Sequence, residues 1–228
     1  MNMTLRKLAV AAMAVMLLAT SFASADSAVD IIMNVGTTQA FTDEAVSAED
    51  LSTILQAGLA AASAINQQPW YFVAVTNQEL MMEIAGSGMG FAPPAGAPGM
   101  PEGAPQGREG AFPAGAAAGG AKAGLGDSPA AIIIYRNDAS KSPNADFDCG
   151  LAAQNMVIAA AALGYGVKIV SSPTMTLNGE RHDELCEKMG VDPALQAVAV
   201  LLIGRSDPDA VSGATTREPL ETKTNIVE

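Results

Sequence analysis

The stretch Ala61-Ala62-Ser63-Ala64-Ile65-Asn66-Gln67-Gln68-Pro69-Trp70-Tyr71-Phe72-Val73-Ala74-Val75-Thr76 decides how the rest of the chain is read. It comes off an amphipathic helix and spends a few polar residues in a tight loop. It then turns at Pro69 and enters an apolar run with β-branched and aromatic residues, the pattern of a buried strand. Trp70, the only tryptophan of the chain, stands at the entry to that strand. Taken alone, the segment is a helix–loop–strand joint with Asn66 and Pro69 as ordinary turn residues.

Upstream, Ser47 and Asp50 form a capping-box-like start for a helix with Leu51, Ile54, Leu55 and Leu59 on one face. A short helix over Asp26 to Met33 and an irregular Asn34 to Phe41 come before it. At the very start, Arg6 and Lys7 precede an apolar block from Leu8 to Ala19, and Ala23-Ser24-Ala25 supplies a small-residue cleavage pattern. Residues 1–25 therefore read as a Sec-type signal peptide, with a retained N-terminal anchor as the other reading. The protein is expected in the periplasm or outside the cell, and residues 26–228 form its domain. The apolar block is too short to span a bilayer comfortably, and no later segment is long and apolar enough to do so.

Downstream, a helix is expected over Asn77 to Ala85. From Gly86 to Gly126, 30 of 41 residues are Gly, Pro or Ala. Such a tract cannot recover its ordering entropy by burial and reads as a flexible insertion at 86–126. It is either a solvated spacer or a lid that uses Met89, Phe91, Met100 and Phe112. Order resumes at Ala130 to Tyr135, whose three consecutive isoleucines indicate a central strand covered on both faces. A helix over Ala145 to Leu163 follows that is nearly apolar all round. It must be buried on every side, in the core or against a second subunit. Val167 to Val170 is a strand, Ser171-Ser172-Pro173 a turn, Asn178 to Met189 an amphipathic helix and Gln196 to Ile203 a buried strand. Arg205 to Glu228 reads as an extended arm. Strands alternate with helices, so a mixed sheet covered by helices is expected.

The net charge of −12 falls to about −14 once Arg6 and Lys7 are removed with the signal. No basic cluster offsets it, which argues against nucleic acid and anionic membranes as partners. Cys149 and Cys186 are either one disulfide or two buried small hydrophobes. His182 is the only histidine, and no ligand spacing resembles a metal site. There is no nucleophile elbow, no dinucleotide fingerprint and no acid cluster facing a histidine. Any catalysis should therefore rest on a cofactor.

Three blocks in order resemble the nitroreductase family. Ser63-Ala64-Ile65-Asn66-Gln67-Gln68-Pro69-Trp70 is similar to its Pro-Ser-Ser-x-Asn-x-Gln-Pro-Trp signature. Phe147-Asp148-Cys149-Gly150-Leu151-Ala152-Ala153-Gln154-Asn155-Met156, continuing to Gly164-Tyr165-Gly166, resembles its central helix. Arg217-Glu218-Pro219-Leu220 is similar to its closing Arg-x-Pro-Leu. The resemblance implies an α+β flavoprotein that is an intertwined homodimer, with FMN at the dimer interface and the C-terminal arm wrapping the partner. By matching positions, Ser63 and Asn66 would lie by the ring and ribityl chain, Ser171 and Ser172 at the N5 edge, and Arg217 at the phosphate. The family's opening Arg-x-Ser-x-Arg corresponds to Val35-Gly36-Thr37-Thr38-Gln39. Only the hydroxyl at Thr37 persists there, and Thr215 replaces a further basic residue. The implied cofactor is FMN with a weakened phosphate site, since each lost charge-assisted bond removes roughly 1.5–3 kcal/mol.

The function implied is an FMN-dependent oxidoreductase that reduces nitroaromatics, quinones or similar small acceptors by two electrons. The alternative is a non-catalytic dimeric binding or scaffold protein that has lost the phosphate clamp, one variant of which binds another planar ligand in the same slot.

Overall fold

The run of isoleucines at 132–134 lies in β2 (Ala130–Asn137), and every residue from Ala130 to Tyr135 is buried, as expected of a strand covered on both faces. The computed structural model describes residues 28–85, 125, 128–209, 220–225 and 227. The signal peptide expected at 1–25, the insertion expected at 86–126 (save Leu125) and Arg217 lie outside the described residues. The chain divides into two units, residues 1–35 and 36–228. In the first, α1 (Ala28–Asn34) is closed by Val35 N–H donating to Ile31 O at 2.8 Å.

In the second unit, α2 (Ala48–Leu59) starts where the capping pattern places it, with Ser47 Oγ accepting from Asp50 N–H at 3.0 Å. A single 3₁₀ turn (Ala64–Asn66) leads to β1 (Trp70–Val75). Next comes α3 (Gln78–Ala85), where Asn77 Oδ1 accepts from Leu80 N–H at 2.9 Å. After β2 come α4 (Ala145–Ala162), β3 (Gly166–Val170), α5 (Thr174–Leu177), α6 (His182–Met189), β4 (Leu195–Gly204) and α7 (Leu220–Lys223).

The strands form one sheet in the order β1-β2-β4-β3. The α+β class holds, but the mixed sheet expected from the alternation of elements becomes, among the described residues, antiparallel at every pairing. The reason is topological. β2 and β3 do run the same way on either side of the α4 crossover, but β4 is inserted between them and opposes both. Between β2 and β4 the register slips: Ile134 pairs with Ala199 and Tyr135 with Ala197, so Val198 is the extra residue of a bulge.

One face carries Ala131, Ile133, Tyr135, Leu195, Ala197, Val200 and Leu202. It closes on Met81 and Ile84 of α3, Leu177 of α5, Leu185 and Cys186 of α6, and Leu125. The other face lies under α4, which in turn packs against α2. Within one chain α4 buries Cys149, Ala152, Ala153, Met156, Val157 and Ala160, yet leaves Phe147 61% exposed. Its apolar circumference thus exceeds what its own chain covers.

Two helical expectations change. The helix expected over Asn178 to Met189 begins only at His182, as α6, and a separate turn of helix, α5, ends before Asn178, because the Asn178 side chain pairs with β4 instead of opening a helix. Its Nδ2 donates to Ala197 O and its Oδ1 accepts from Ala197 N–H, both at 2.8 Å. The C-terminal arm contains a helical turn, α7. Cys149 and Cys186 are both buried and unpaired, on opposite sides of the sheet. Burial pushes the Cys149 thiol up to about 12.

Candidate functional site

The loop from Ser63 to Pro69 is built on left-handed backbone. Ile65, Asn66 and Gln68 have φ of 47°, 55° and 46°. For a β-branched residue such as Ile65 this is costly, and it persists only where surrounding contacts impose it. Those contacts are identifiable. Ser63 Oγ accepts from Gln68 N–H at 2.9 Å, and Gln68 Nε2 donates to Asn66 Oδ1 at 3.1 Å. Gln67 Oε1 accepts from Lys141 N–H at 3.1 Å, and Pro69 O accepts from Asn137 N–H at 2.7 Å. The result presents Asn66 and the Ile65 side chain, 76% exposed, to solvent.

Ser171 and Ser172 are exposed in the turn that ends β3. Their carbonyls hold the start of α5: Thr174 N–H donates to Ser171 O at 3.0 Å, and Met175 N–H to Ser172 O at 3.2 Å. Register places this turn and the Ser63 loop at the same end of the sheet. Trp70 pairs with Arg136, Arg136 with Gln196, and Val170 with Val200 a few residues along β4. The two segments belong to opposite edge strands, however, whose axes are roughly 14 Å apart across the sheet. Between them, on the α4 side, lies a groove of ≈ 350 Å³ lined by Ile134, Arg136, Asp146, Cys149, Gly150, Ala153, Val198 and Ala199. Ser171 follows Val170, the last residue of β3, which pairs with Val200, and Ile169 on the same strand is 51% exposed. Uncharged donors and acceptors thus stand on the two edge strands at one end of the sheet, with a groove of mixed apolar and charged lining between those strands.

Thr37 lies elsewhere. Its neighbour Thr38 donates its N–H to Val167 O at 3.0 Å, at the opposite end of β3 from Ser171. Segment 38–42 continues alongside the chain after β4, with Thr42 N–H on Arg205 O at 2.9 Å and Asp207 N–H on Ala40 O at 3.0 Å. Gly166 makes the approach possible, because a Cβ there would collide with the Thr38 and Ser206 hydroxyls. Thr37 and Gln39 are exposed. The Arg205 guanidinium is already engaged: it donates to Gly164 O at 2.8 Å, pairs with Glu44 at 3.4 Å, and stands 4.3 Å over the Tyr165 ring. Edge strand β3 therefore links a hydroxyl-bearing segment at one end to the Ser171-Ser172 turn at the other.

Two contributors escape sequence reading. Asp148, buried in α4, accepts from Ala64 N–H at 3.1 Å, although in the sequence it is one more acid in a helix's first turns. Arg136 closes the groove by pairing with Asp138 and Asp146, which raise its pKa. Among the described residues no group of three or more His, Cys, Asp or Glu could hold a metal ion, and no helix is long and apolar enough to cross a membrane.

A nitroreductase fold is found in solved structures covering most of this chain. A nitroreductase with bound FMN from Bacteroides fragilis is 22% identical, with a TM-score of 0.67, covering 89% of this chain and 100% of that one. A second, from Desulfitobacterium hafniense and also with bound FMN, is 20% identical with a TM-score of 0.65, covering 88% and 98%. A curated relative from Methanothermobacter thermautotrophicus, named "Putative NADH dehydrogenase/NAD(P)H nitroreductase", is 30% identical over 129 residues, 55% of this chain and 51% of that protein. The match thus spans about half of that relative's length. The family model described as "Nitroreductase family" matches residues 36–205, most of the chain. With the family's sheet, its central helix and its Asn-x-Gln-Pro-Trp loop in place, the chain belongs to the nitroreductase family.

Proposed function

We propose that this protein is an FMN-dependent oxidoreductase of the nitroreductase type that reduces nitroaromatics, quinones or similar small acceptors by two electrons. The carrying observation is that the Ser63–Gln68 loop, the Ser171-Ser172 turn and the exposed Ile169 lie at one end of the sheet, with a groove between the edge strands lined by Ile134, Arg136, Asp146, Gly150 and Ala199. Exposed amides, hydroxyls and a carboxamide suit a planar ring with carbonyl and imine nitrogen acceptors. On this reading Ser63 and Asn66 hold the ring and ribityl side, a backbone N–H of the Ser171-Ser172 turn meets the ring edge, and Thr37 with Arg217 takes the phosphate. When bound, FMN supplies the two-electron chemistry, while the protein positions ring and acceptor and limits water.

A homodimer belongs to the same proposal. The loop and the turn sit on opposite edge strands, and Phe147 and Ile65 leave apolar surface open that a second copy would cover. So does export to the periplasm or beyond, on the strength of residues 1–25.

One observation favours the second reading, a dimeric binding or scaffold protein. Gly36 to Gln39 carries no cation, and Arg205 is engaged within the protein. Purified mature protein is mixed with FMN, desalted, and its visible spectrum and mass in solution are recorded. A flavin band retained by a dimer, lost in Arg217→Ala, and bleached then restored on reduction followed by addition of a quinone supports the oxidoreductase. An intact dimer without flavin favours the binding protein.

A further inference from the structure

Asp148 has only 2% of its surface exposed, yet among the described residues neither of its oxygens meets a basic side chain. Oδ1 accepts from the Ala64 backbone N–H at 3.1 Å, and Oδ2 accepts from the Ser142 hydroxyl at 2.6 Å. A carboxylate this buried is strongly unfavourable without such bonds, so it holds its two partners firmly. One partner is the first amide of the 3₁₀ turn that carries left-handed Ile65 and Asn66. The loop's other anchors, at Gln67, Gln68 and Pro69, are neutral bonds, mostly at exposed groups. Asp148 is the one charged and buried anchor the loop has among the described residues.

We infer that Asp148 is a positioning residue: through Ala64 it imposes the left-handed loop and thereby aims Ser63 and Asn66 at the ring of the bound ligand. This rests on the flavin reading above. Asp148 acts on protein groups alone, so its loss should weaken ring-side contacts and leave the phosphate side unchanged. Riboflavin, which lacks the phosphate, and FMN should therefore lose affinity by the same factor.

The test compares wild type, Asp148→Ala and Asp148→Asn. Hydrogen exchange in the peptide spanning 61–70 is followed without ligand, and affinities for FMN and riboflavin are measured by flavin fluorescence. In Asp148→Ala, loop exchange should quicken and both affinities fall about tenfold or more, as expected when the carboxylate acceptor of a part-buried N–H is removed. Asp148→Asn should recover most of the loss, since its amide oxygen can accept from Ala64 and its N–H₂ can donate to the Ser142 oxygen. Should Asp148→Ala fail to fold, Ser142→Ala, which frees one carboxylate oxygen and leaves the Ala64 bond, should show the same changes at smaller size. Unchanged loop exchange or unequal losses for the two flavins overturns the positioning role alone. Wild-type protein that binds neither flavin overturns the flavin reading and this inference with it.

Discussion

Gly58 of α2 stands so close to Met156 of α4 that a Cβ built on it would lie 2.9 Å from Met156 Cγ and 3.1 Å from the Phe72 ring. This close approach lets α2 lie down on α4. Alanine at 58 would gain about 1 kcal/mol of helix propensity but lose about 1–3 kcal/mol to overpacking. The packing loss should win, because carbon atoms from two neighbours are crowded at once. Gly58→Ala is expected to lower stability by about 1 kcal/mol in urea denaturation. Adding Met156→Ala, which opens space at the same contact, should give a strongly non-additive double mutant.

Ile65 makes the opposite prediction. A β-branched residue at φ 47° stores strain of order 1–3 kcal/mol, which glycine would release at an entropic cost of about 0.5–1 kcal/mol. Ile65→Gly should therefore be neutral to stabilising by about 1 kcal/mol while weakening flavin binding and self-association, because an exposed apolar side chain is lost. A thermal melt and a sedimentation experiment on the same sample would check it; a clear loss of stability would remove strain from the account of this loop.

His182 should make stability depend on pH. Its ring nitrogens lie 2.6 Å from Leu177 O and 2.8 Å from Pro193 O. Carbonyls can only accept, so the doubly protonated ring satisfies both, whereas the neutral ring leaves one nitrogen lone pair facing an oxygen. The Pro193 and Leu177 carbonyls, in that order, raise its pKa, with Asp183 adding to the effect, while the Cys186 sulfur sits 3.8 Å away. A raised folded-state pKa means the contribution is fully present below the ordinary histidine value near 6.5 and is lost as pH rises through the folded value. Melting temperatures measured from pH 6 to 9 should fall across that window in the wild type and not in His182→Gln.

The phosphate side can be tested by addition. Gln39 is exposed and occupies the position where the family pattern has a cation. One charge-assisted bond contributes about 1.5–3 kcal/mol, so Gln39→Arg should tighten FMN by roughly 10- to 100-fold and leave riboflavin unchanged. Equal effects on both flavins would mean that the new arginine does not meet the phosphate.

What could be read in advance follows the range of the interactions. The Ser47–Asp50 cap, the buried isoleucines of β2 and the stop at Gly190 (φ 66°) are set by neighbours within a few residues and lay open to inspection. The late start of α6 at His182 was hidden because Asn178 answers to Ala197, nineteen residues on. The roles of Asp148 and Gly166 were hidden for the same reason: one reaches 84 residues back to Ala64, and the other makes room for Thr38. The Ser63–Asn66 motif could be placed on a loop, but its left-handed backbone could not, since β-branched Ile65 argues against that conformation. Arg217 lies outside the described residues, and its role rests on the family pattern.

Trp70 is 7% exposed, opens β1, and lies 6.2 Å from the Phe72 ring with the two planes only 11° apart. As the single indole of the chain, it makes the protein its own optical gauge. Its emission overlaps the near-ultraviolet absorption of a yellow chromophore, so occupancy of the neighbouring groove would register as quenching in unlabelled protein. Loosening of the preceding loop would register at the same ring as a red shift, so one cuvette separates the arrival of a ligand from the slackening of the segment that receives it.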